Sequence, residues 1–459
     1  MPRDLKCVMF VSSGMVNPKK GNNPLMLRHQ YLNYGALSLA TSLSAREYSC
    51  VLIHAGFTEP SVFLSELIEN HKLAVYDRIM LSIPSFFSLS WAAEFSFLLK
   101  KYNHKIKIIA GGRWVIGGDL QWVKGRLPNI DCLIPGFCDS DIESVVNDSY
   151  SGMSKFDKLP DFNLDHRLVH NYLSYNPSIE VSRGCGMGCG FCEDGNNKAT
   201  ALKKTSVLCS NIDALIMQYG TADINLYFQS ANFNPSMRWA ELFYKEYMSH
   251  GLNVNWRCQT RVDKLNPAVI AVLAEAGLKV IDLGLESASI QQLLFMGKAD
   301  DPAKYLRRAS GLIEECKKNN VWVKVNHLIY AGETHSTIDE TMQWLDHHST
   351  AIKGISSGPV IVFGSPSTAR DFISDIKEKG ADLVDDNELS LTGIAHIHPS
   401  KDMSNHDARN VSREFSRRFM SKGDYFDLKS FSYFPRDYLM SDYDSDITKC
   451  DTEELPFHV

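Results

Sequence analysis

The first 150 residues alternate regularly between apolar, strand-like runs and stretches long enough to form a helix. This alternation constrains the fold, because fully apolar strands joined through helices form a parallel sheet that is covered on both faces. Segments 31–47, 60–73 and 87–103 are predicted as three of the helices. Ligands of such sheets bind at the carboxyl ends of the strands, so we expect the loop that follows each strand to face a ligand. The strand-like runs are KCVMFVS, SCVLIHA, DRIMLSI, IKIIAGG and DCLIPG.

A second series of six strand-like runs and amphipathic helices follows over about 190 residues. Six units are two short of a closed eight-unit barrel, which predicts an open, partial (β/α)6 TIM barrel. Functional residues of such barrels belong at the carboxyl ends of the strands. The six runs are SIEVSR, DINLYF, NVNWRC, KVIDLGLE, VWVKVNHLIY and GPVIVF.

The two series predict an α/β chain with four segments. Pro160 lies in a stretch that breaks the alternation and is typical of a connector. The last segment begins with a predicted helix and continues as a small α+β or irregular extension that could serve as a substrate cap. The predicted segments are a doubly wound Rossmann-like domain at 1–150, a linker at 151–177, the partial barrel at 178–364 and the extension at 365–459.

Charge, hydropathy and cysteine content limit the partners and the cellular compartment that we expect for this chain. The 459 residues carry a formal net charge of −6 and contain no long block of lysine and arginine, so no nucleic-acid partner is evident. The first apolar run is too short and too polar for a signal sequence or a membrane span, and a cytoplasmic protein without a membrane partner is expected. Eleven cysteines without a secretory signal favour reduced thiols over a disulfide framework.

Three of these thiols lie within eight positions, as Cys185, Cys189 and Cys192 of the run VSRGCGMGCGFCEDG. A structural zinc site needs four ligands, and no fourth cysteine is near. A cubane iron–sulfur cluster held by three thiolates instead leaves one iron open to a substrate or cofactor. The four interleaved glycines allow the backbone to fold closely around a cluster, and Phe191 could shield one side from water. Three structural cysteines in a glycine-rich turn are the alternative.

The Cys-x3-Cys-x2-Cys spacing, with an aromatic residue before the last cysteine and a preceding strand, resembles the radical S-adenosylmethionine (radical SAM) superfamily. Two later stretches extend the resemblance: WRCQTRVDKLNPAVIAVLAEAGLKVIDLGLESASIQQLLFMGK and VNHLIYAGETHSTIDETMQWL are similar to the fourth-strand Glu-Ser and fifth-strand Gly-Glu-Thr segments. The resemblance implies that the three cysteines ligate a [4Fe–4S] cluster. It also implies that S-adenosylmethionine is cleaved to a 5′-deoxyadenosyl radical, for which the cofactors supply the chemistry and the protein the positioning.

The same resemblance implies cofactor contacts on other strands. Glu286 and Ser287 match a strand-end pair that contacts the ribose or methionine part of S-adenosylmethionine, and Arg261 and Lys298 match basic residues directed at that cofactor. The second strand departs from the family's glycine-rich segment. There the sequence LYFQSANFN would have to supply the contacts through Gln229, Ser230 and Asn232. No catalytic side chain is assigned.

The N-terminal segment resembles the B12-binding domain of cobalamin-dependent radical SAM enzymes. The Asp-x-His-x-x-Gly signature that donates an axial histidine is missing, since His54 of VLIHAGF has no aspartate two residues before it. Cobalamin is therefore expected to bind without a protein histidine ligand, in the crevice at the carboxyl ends of the strands. A degenerate domain that binds nothing is the alternative.

Together these resemblances imply a methyltransferase that acts on an unactivated carbon or on phosphorus. A radical cyclase, rearrangement or oxidation enzyme without methyl transfer is one alternative, and a non-catalytic, cluster- or cobalamin-binding sensor is another. The expected partners are a small-molecule or peptide substrate and an electron donor such as a flavodoxin or a ferredoxin. The substrate itself is not encoded in any recognisable pattern.

Overall fold

A computed structural model describes residues 6–15, 23–150, 152 and 159–459. Part of the predicted ligand-facing loop, 16–22, and most of 151–158 in the predicted linker lie outside the described residues. The N-terminal strands are β1 Lys6–Ser12, β2 Tyr48–His54, β3 Arg78–Ser82, β4 Lys107–Gly111 and β5 Cys132–Ile134. The accompanying helices are α1 Pro24–Leu27, α2 Tyr34–Ser44, α3 Pro60–Asn70, α4 Leu89–Tyr102, α5 Arg113–Ile116, α6 Leu120–Arg126 and α7 Ile142–Val146.

The five N-terminal strands form one parallel sheet in the order β2-β1-β3-β4-β5, which confirms the predicted doubly wound architecture. Strand β1 is buried on both faces: Val8 and Met9 pack into separate hydrophobic clusters on opposite sides. The strand order reverses between β1 and β3, and such a switch point opens a crevice at the carboxyl ends.

The second series forms a six-stranded parallel sheet in the order β11-β10-β9-β8-β7-β6, the predicted partial barrel. Its outward side chains pack against helices, whereas alternate side chains such as Tyr227, Gln259 and Lys324 face the interior. The strands are β6 Ser178–Glu180, β7 Asn225–Gln229, β8 Asn255–Arg261, β9 Leu278–Glu286, β10 Trp322–Ile329 and β11 Gly354–Pro359. The helices are α8 Thr205–Tyr219, α9 Met237–Ser249, α10 Val269–Glu275, α11 Ile290–Phe295, α12 Pro302–Lys318 and α13 His335–His347.

The C-terminal extension is α+β and more regular than the sequence pattern predicted. Three helices occupy the stretch predicted as irregular, and two of them begin with capping boxes, at Ser404 and Ser421. A small sheet in the order β12-β14-β13 precedes them. The elements are β12 Ile361–Phe363, α14 Arg370–Glu378, β13 Asp382–Leu383, α15 Glu388–Thr392, β14 Ile394–His398, α16 Asn405–Phe419, α17 Lys422–Ser430 and α18 Met440–Ile447.

The extension divides between the two ends of the barrel. The small sheet follows the carboxyl end of β11 and contacts the N-terminal domain, where Phe363 stacks on Phe86 with ring centroids 6.2 Å apart. Residues 423–446, which are rich in tyrosine and phenylalanine and are called the aromatic tail, lie at the opposite end of the barrel. There Arg257, near the start of β8, donates to Ser432 Oγ at 2.7 Å. The aromatic tail closes the amino ends of the strands and therefore lies away from a substrate at the carboxyl ends. The prediction of a substrate cap is kept only for residues 365–398. In the described residues no helix is long and apolar enough to cross a membrane.

Candidate active site between the two sheets

The cysteine loop leaves the carboxyl end of β6 and folds back on itself. Gly184, Gly186 and Gly188 have φ angles of +72°, +70° and +67°, a region that side chains with a Cβ atom rarely adopt. A Cβ atom on Gly184 would lie 2.4 Å from the carbonyl oxygen of Lys198. The Cys185 amide donates to Asn197 O at 2.9 Å, so the loop is closed by its own backbone.

The three thiols lie close enough to influence one another. Cys189 is buried and the other two are half-buried. Burial raises the pKa of both Cys185 and Cys192, while the charges of Arg261 and Lys298 act to lower that of Cys185. Three thiols with two cations beside them suit an anionic thiolate cluster, so these residues fit the [4Fe–4S] group that the motif implies.

Arg261, at the end of β8, is directed at the cysteine loop. Its Nη1 donates to Cys189 Sγ at 2.7 Å and its Nη2 to the Lys298 carbonyl oxygen at 2.6 Å. Its Nε donates to Asp263 Oδ1 at 2.8 Å. The guanidinium is therefore held against the sulfur of a predicted cluster ligand, whereas the resemblance directs it at S-adenosylmethionine.

Arg261→Gln is expected to lower the reduction potential of the loaded cluster by on the order of 50 mV, because a cation that donates to a ligand sulfur stabilises the more negative reduced state. Reductive titration followed by electron paramagnetic resonance measures this shift. Iron content should stay unchanged, and Arg307→Gln, on the exposed face of α12, is the control. An unaltered potential in Arg261→Gln would contradict the assigned contact.

Glu286 and Lys298 form an ion pair beside the loop, with Nζ 3.1 Å from Oε1. Glu286 ends β9 with φ +67°, an uncommon conformation for a residue other than glycine and one that recurs at functional sites. A Cβ atom on Gly284 would lie 3.0 Å from Glu286 Oε1, so the glycine leaves space for this pair. Phe191 lies over the same ammonium, with its ring centroid 5.8 Å from Nζ.

The remaining predicted residues separate into two groups. Gln229 and Ser230 line a cavity at the carboxyl end of β7, where Ser230 Oγ lies 2.5 Å from Ser182 Oγ. Ser287 is fully buried, and its hydroxyl lies 3.1 Å from Thr341 Oγ1 in the core. The structure therefore places Ser287 away from the cavity and brings Gln229 and Ser230 to it.

The cavity measures about 420 Å³ and opens between the carboxyl ends of the two sheets. Phe10, Met80 and Ile109 give it an apolar wall on the N-terminal sheet. The barrel contributes polar groups, including Gln259 and residues of the cysteine loop. An apolar wall facing a few convergent polar groups is the usual construction of a small-molecule or cofactor site.

His54 does not present an available ring nitrogen to this cavity. Its Nε2 accepts a hydrogen bond from the Asn33 amide at 2.9 Å, and burial lowers its pKa to about 4, so the ring is neutral. Asn33 in turn donates to Ser12 and Ser82, at the ends of β1 and β3. These contacts make His54 a part of the sheet edge.

Ion pairs that the sequence patterns did not reveal join the two domains at this cavity. Arg113, after β4, pairs with Asp194 of the cysteine loop at 2.8 Å. Arg183 pairs with Asp139 of the N-terminal domain at 3.0 Å and also binds Glu180. The Phe137 ring lies between the two guanidiniums: its centroid is 5.2 Å from Cζ of Arg113 and 5.1 Å from Cζ of Arg183. The signal in the sequence was that Arg113 and the Phe137–Asp139 segment lie in loops predicted to face a ligand.

Residues 179–345 match the family model described as "Radical SAM superfamily". This match covers the barrel, about a third of the chain, which is thus similar to radical SAM domains, and the two-domain fold is similar to that of the cobalamin-dependent radical SAM enzymes. Among curated proteins it is 24% identical over 169 residues to "Uncharacterized methyltransferase PH0819" of Pyrococcus horikoshii. That match covers 36% of each chain, so this chain spans about a third of the relative's length.

Solved structures resemble most of the chain. The "Cobalamin-dependent S-adenosylmethionine radical enzyme OxsB with aqua-cobalamin bound" has a TM-score of 0.64 at 13% identity, and the match covers 93% of this chain and 67% of that one. The "radical S-adenosylmethionine methyltransferase, TsrM, from Kitasatospora setae" has a TM-score of 0.60 at 12% identity, with coverages of 83% and 78%. At these identities the likeness establishes the fold.

Proposed function

We propose that this chain is a cobalamin-dependent radical SAM methyltransferase that acts on an unactivated carbon or phosphorus atom. The observation that carries the proposal is the cavity of about 420 Å³ between the carboxyl ends of the two sheets, with the cysteine loop in its wall. Both architectures hold their ligands at these ends, so one cavity can bring two cofactors and a substrate together.

Residues in the cavity wall and directly behind the cysteine loop would have different roles. Cys185, Cys189 and Cys192 would hold the cluster, which when bound supplies the electron for reductive cleavage of S-adenosylmethionine. Glu286 and Lys298 offer a carboxylate and an ammonium, groups that suit ribose hydroxyls and a carboxylate. The interdomain ion pairs Arg113–Asp194 and Arg183–Asp139 fix the cysteine loop relative to the N-terminal sheet.

The apolar wall of Phe10, Met80 and Ile109 would hold part of the cobalamin. These side chains line the switch-point crevice, and the neutral, hydrogen-bonded His54 is consistent with a corrinoid that takes no histidine from the protein. Two similar structures support this assignment, since OxsB and TsrM have each been solved with cobalamin bound. A small-molecule or peptide substrate and a flavodoxin or ferredoxin as electron donor complete the proposal.

The decisive experiment is anaerobic reconstitution with iron, sulfide and hydroxocobalamin, followed by assay of bound iron and cobalamin. We then supply S-adenosylmethionine and a reductant and measure 5′-deoxyadenosine and S-adenosylhomocysteine. Formation of both products with cobalamin bound is expected for methyl transfer. Formation of 5′-deoxyadenosine alone would favour a cyclase or oxidation enzyme, and formation of neither would favour a sensor.

A cavity-filling variant tests the cobalamin site separately. Gly111→Leu is expected to reduce bound cobalamin at least tenfold and to leave the iron content unchanged, since Gly111 lines the cavity and has open space around its Cβ position. Gly125→Leu, in an exposed position of α6 with equally open space, is the matched control. Full cobalamin content in Gly111→Leu would place the corrinoid elsewhere.

A further inference from the structure

Away from the cavity, three possible metal-ligating side chains meet at the outer edge of the N-terminal sheet. Glu66, His71 and His170 each offer one ligand atom, and these atoms all lie within 4.8 Å of one another. The rings of His71 and His170 are perpendicular, with centroids 4.4 Å apart. None of these residues belongs to the cysteine loop or lines the interdomain cavity.

The three side chains lie on two segments that are far apart in the sequence. Glu66 is on α3, and His71 caps the end of that helix by donating its amide to Leu67 O at 3.2 Å. His170 belongs to the connector between the domains, where its amide donates to Leu52 O on β2 at 2.9 Å. The connector is thus already paired with the edge strand beside the cluster.

The state of the side chains suits a metal ion. His71 Nε2 is buried and has no hydrogen-bond partner among the described residues, which is costly unless another group satisfies the atom. His170 is exposed, which provides an entry path from solvent.

We propose that Glu66, His71 and His170 bind a divalent transition-metal ion of the zinc type, which fastens the interdomain connector to the edge of the N-terminal sheet. Two imidazoles and one carboxylate form a recognised zinc-ligand set, with a water molecule in the fourth position. Imidazole-rich sites favour zinc, copper and nickel over magnesium and calcium. The ion joins α3 to a segment about 100 residues later, and this link stabilises the native arrangement of the connector.

The test uses the full chain with its cluster loaded, so that the cluster cysteines are occupied. Zn²⁺ is titrated calorimetrically into the wild type, His71→Ala, His170→Ala and Glu66→Gln, with His104→Ala as a control at an exposed histidine of the same domain. We expect one zinc per chain in the wild type and the control. Loss of binding is expected in both site histidine variants, and at least tenfold weaker binding in Glu66→Gln.

Two further measurements distinguish this site from other zinc binding. Co²⁺ bound here should give visible absorption without a thiolate charge-transfer band, because no cysteine is a ligand. Zn²⁺ should raise the thermal midpoint of the wild type and of His104→Ala but not that of His170→Ala. Equal zinc binding in wild type and His170→Ala, or cobalt spectra dominated by thiolate, would overturn the proposal.

Discussion

Substitution of Cys189 by alanine is expected to leave the protein without its iron–sulfur cluster. Cys189 is the buried member of the three thiols and the one that accepts from Arg261. Only two thiolates would remain for a cluster that needs three, so bound iron should fall from about four per chain to near zero. Formation of 5′-deoxyadenosine should be lost with it, and colorimetric iron and sulfide assays measure the effect.

Cobalamin binding should survive this substitution, because the apolar wall of the cavity belongs to the other domain. Cys209→Ala is the control: Cys209 is buried in the core of the barrel and lies on α8, so its loss should leave iron unchanged. If Cys189→Ala kept its iron and Cys209→Ala lost it, the assignment of the cluster to this loop would be wrong.

Substitution of Asp282 by asparagine is expected to lower the free energy of unfolding by at least about 3 kcal/mol. Asp282 and Arg257 are both buried inside the barrel, where Nη2 lies 2.6 Å from Oδ1, and Lys324 lies 3.2 Å from the same oxygen. The variant leaves the buried Arg257 and the half-buried Lys324 without a counter-charge, and breaking a buried pair costs about 3–5 kcal/mol. Chemical denaturation followed by circular dichroism measures the loss.

Asp346→Asn is the matched control. It makes the same change in an ion pair with Arg418 that is about half exposed, at 2.8 Å. Exposed pairs contribute about 0–1 kcal/mol, so its effect should be under a third of that in Asp282→Asn. Equal losses in the two variants would contradict the importance of burial at Asp282.

The buried pair also sets a pH dependence. Burial acts to raise the pKa of Asp282, but the charges of Arg257 and Lys324 outweigh it and hold that pKa below its usual value. A carboxyl group whose folded pKa is depressed stabilises the protein above its unfolded pKa of about 4 and loses that contribution as the pH falls through the folded pKa. The difference in stability between wild type and Asp282→Asn should therefore shrink in acid.

Much of the architecture was predictable because it depends on local periodicity. The five N-terminal runs correspond to β1–β5 and the first five barrel runs to β6–β10, since apolar runs between helical stretches favour parallel strands. The sixth run, GPVIVF at 358–363, was misplaced: the barrel strand is the more polar β11, GISSGP, and the last half of the predicted run forms β12 of the small sheet. The spacing of the cysteines was equally informative, because metal ligation restricts residue type and separation together. The C-terminal helices were missed although Ser404 and Ser421 each begin a capping box with an aspartate three residues later.

The side-chain contacts of the candidate site were less predictable. Arg261 lies 72 residues from Cys189, and no local pattern indicates whether a strand-end arginine will contact a thiol or a cofactor. The pairing of Arg183 with Asp139 likewise depends on how two domains meet. Ser287 matched a motif, yet its hydroxyl packs against Thr341, because neighbouring residues at a strand end point in different directions.

The contact between the beginning of the chain and its aromatic tail bears on the order in which the protein is assembled in the cell. Arg28 and Asp446 form an ion pair at 2.8 Å although 418 residues separate them, and the Gln30 amide donates to Tyr433 O at 2.7 Å. Strands β1–β5 leave the ribosome long before these partners are synthesised. Residues 23–33 lead to Asn33 beside the cavity, so this wall gains these supports only after residues 433–446 have been synthesised, and a large cofactor is expected to enter afterwards.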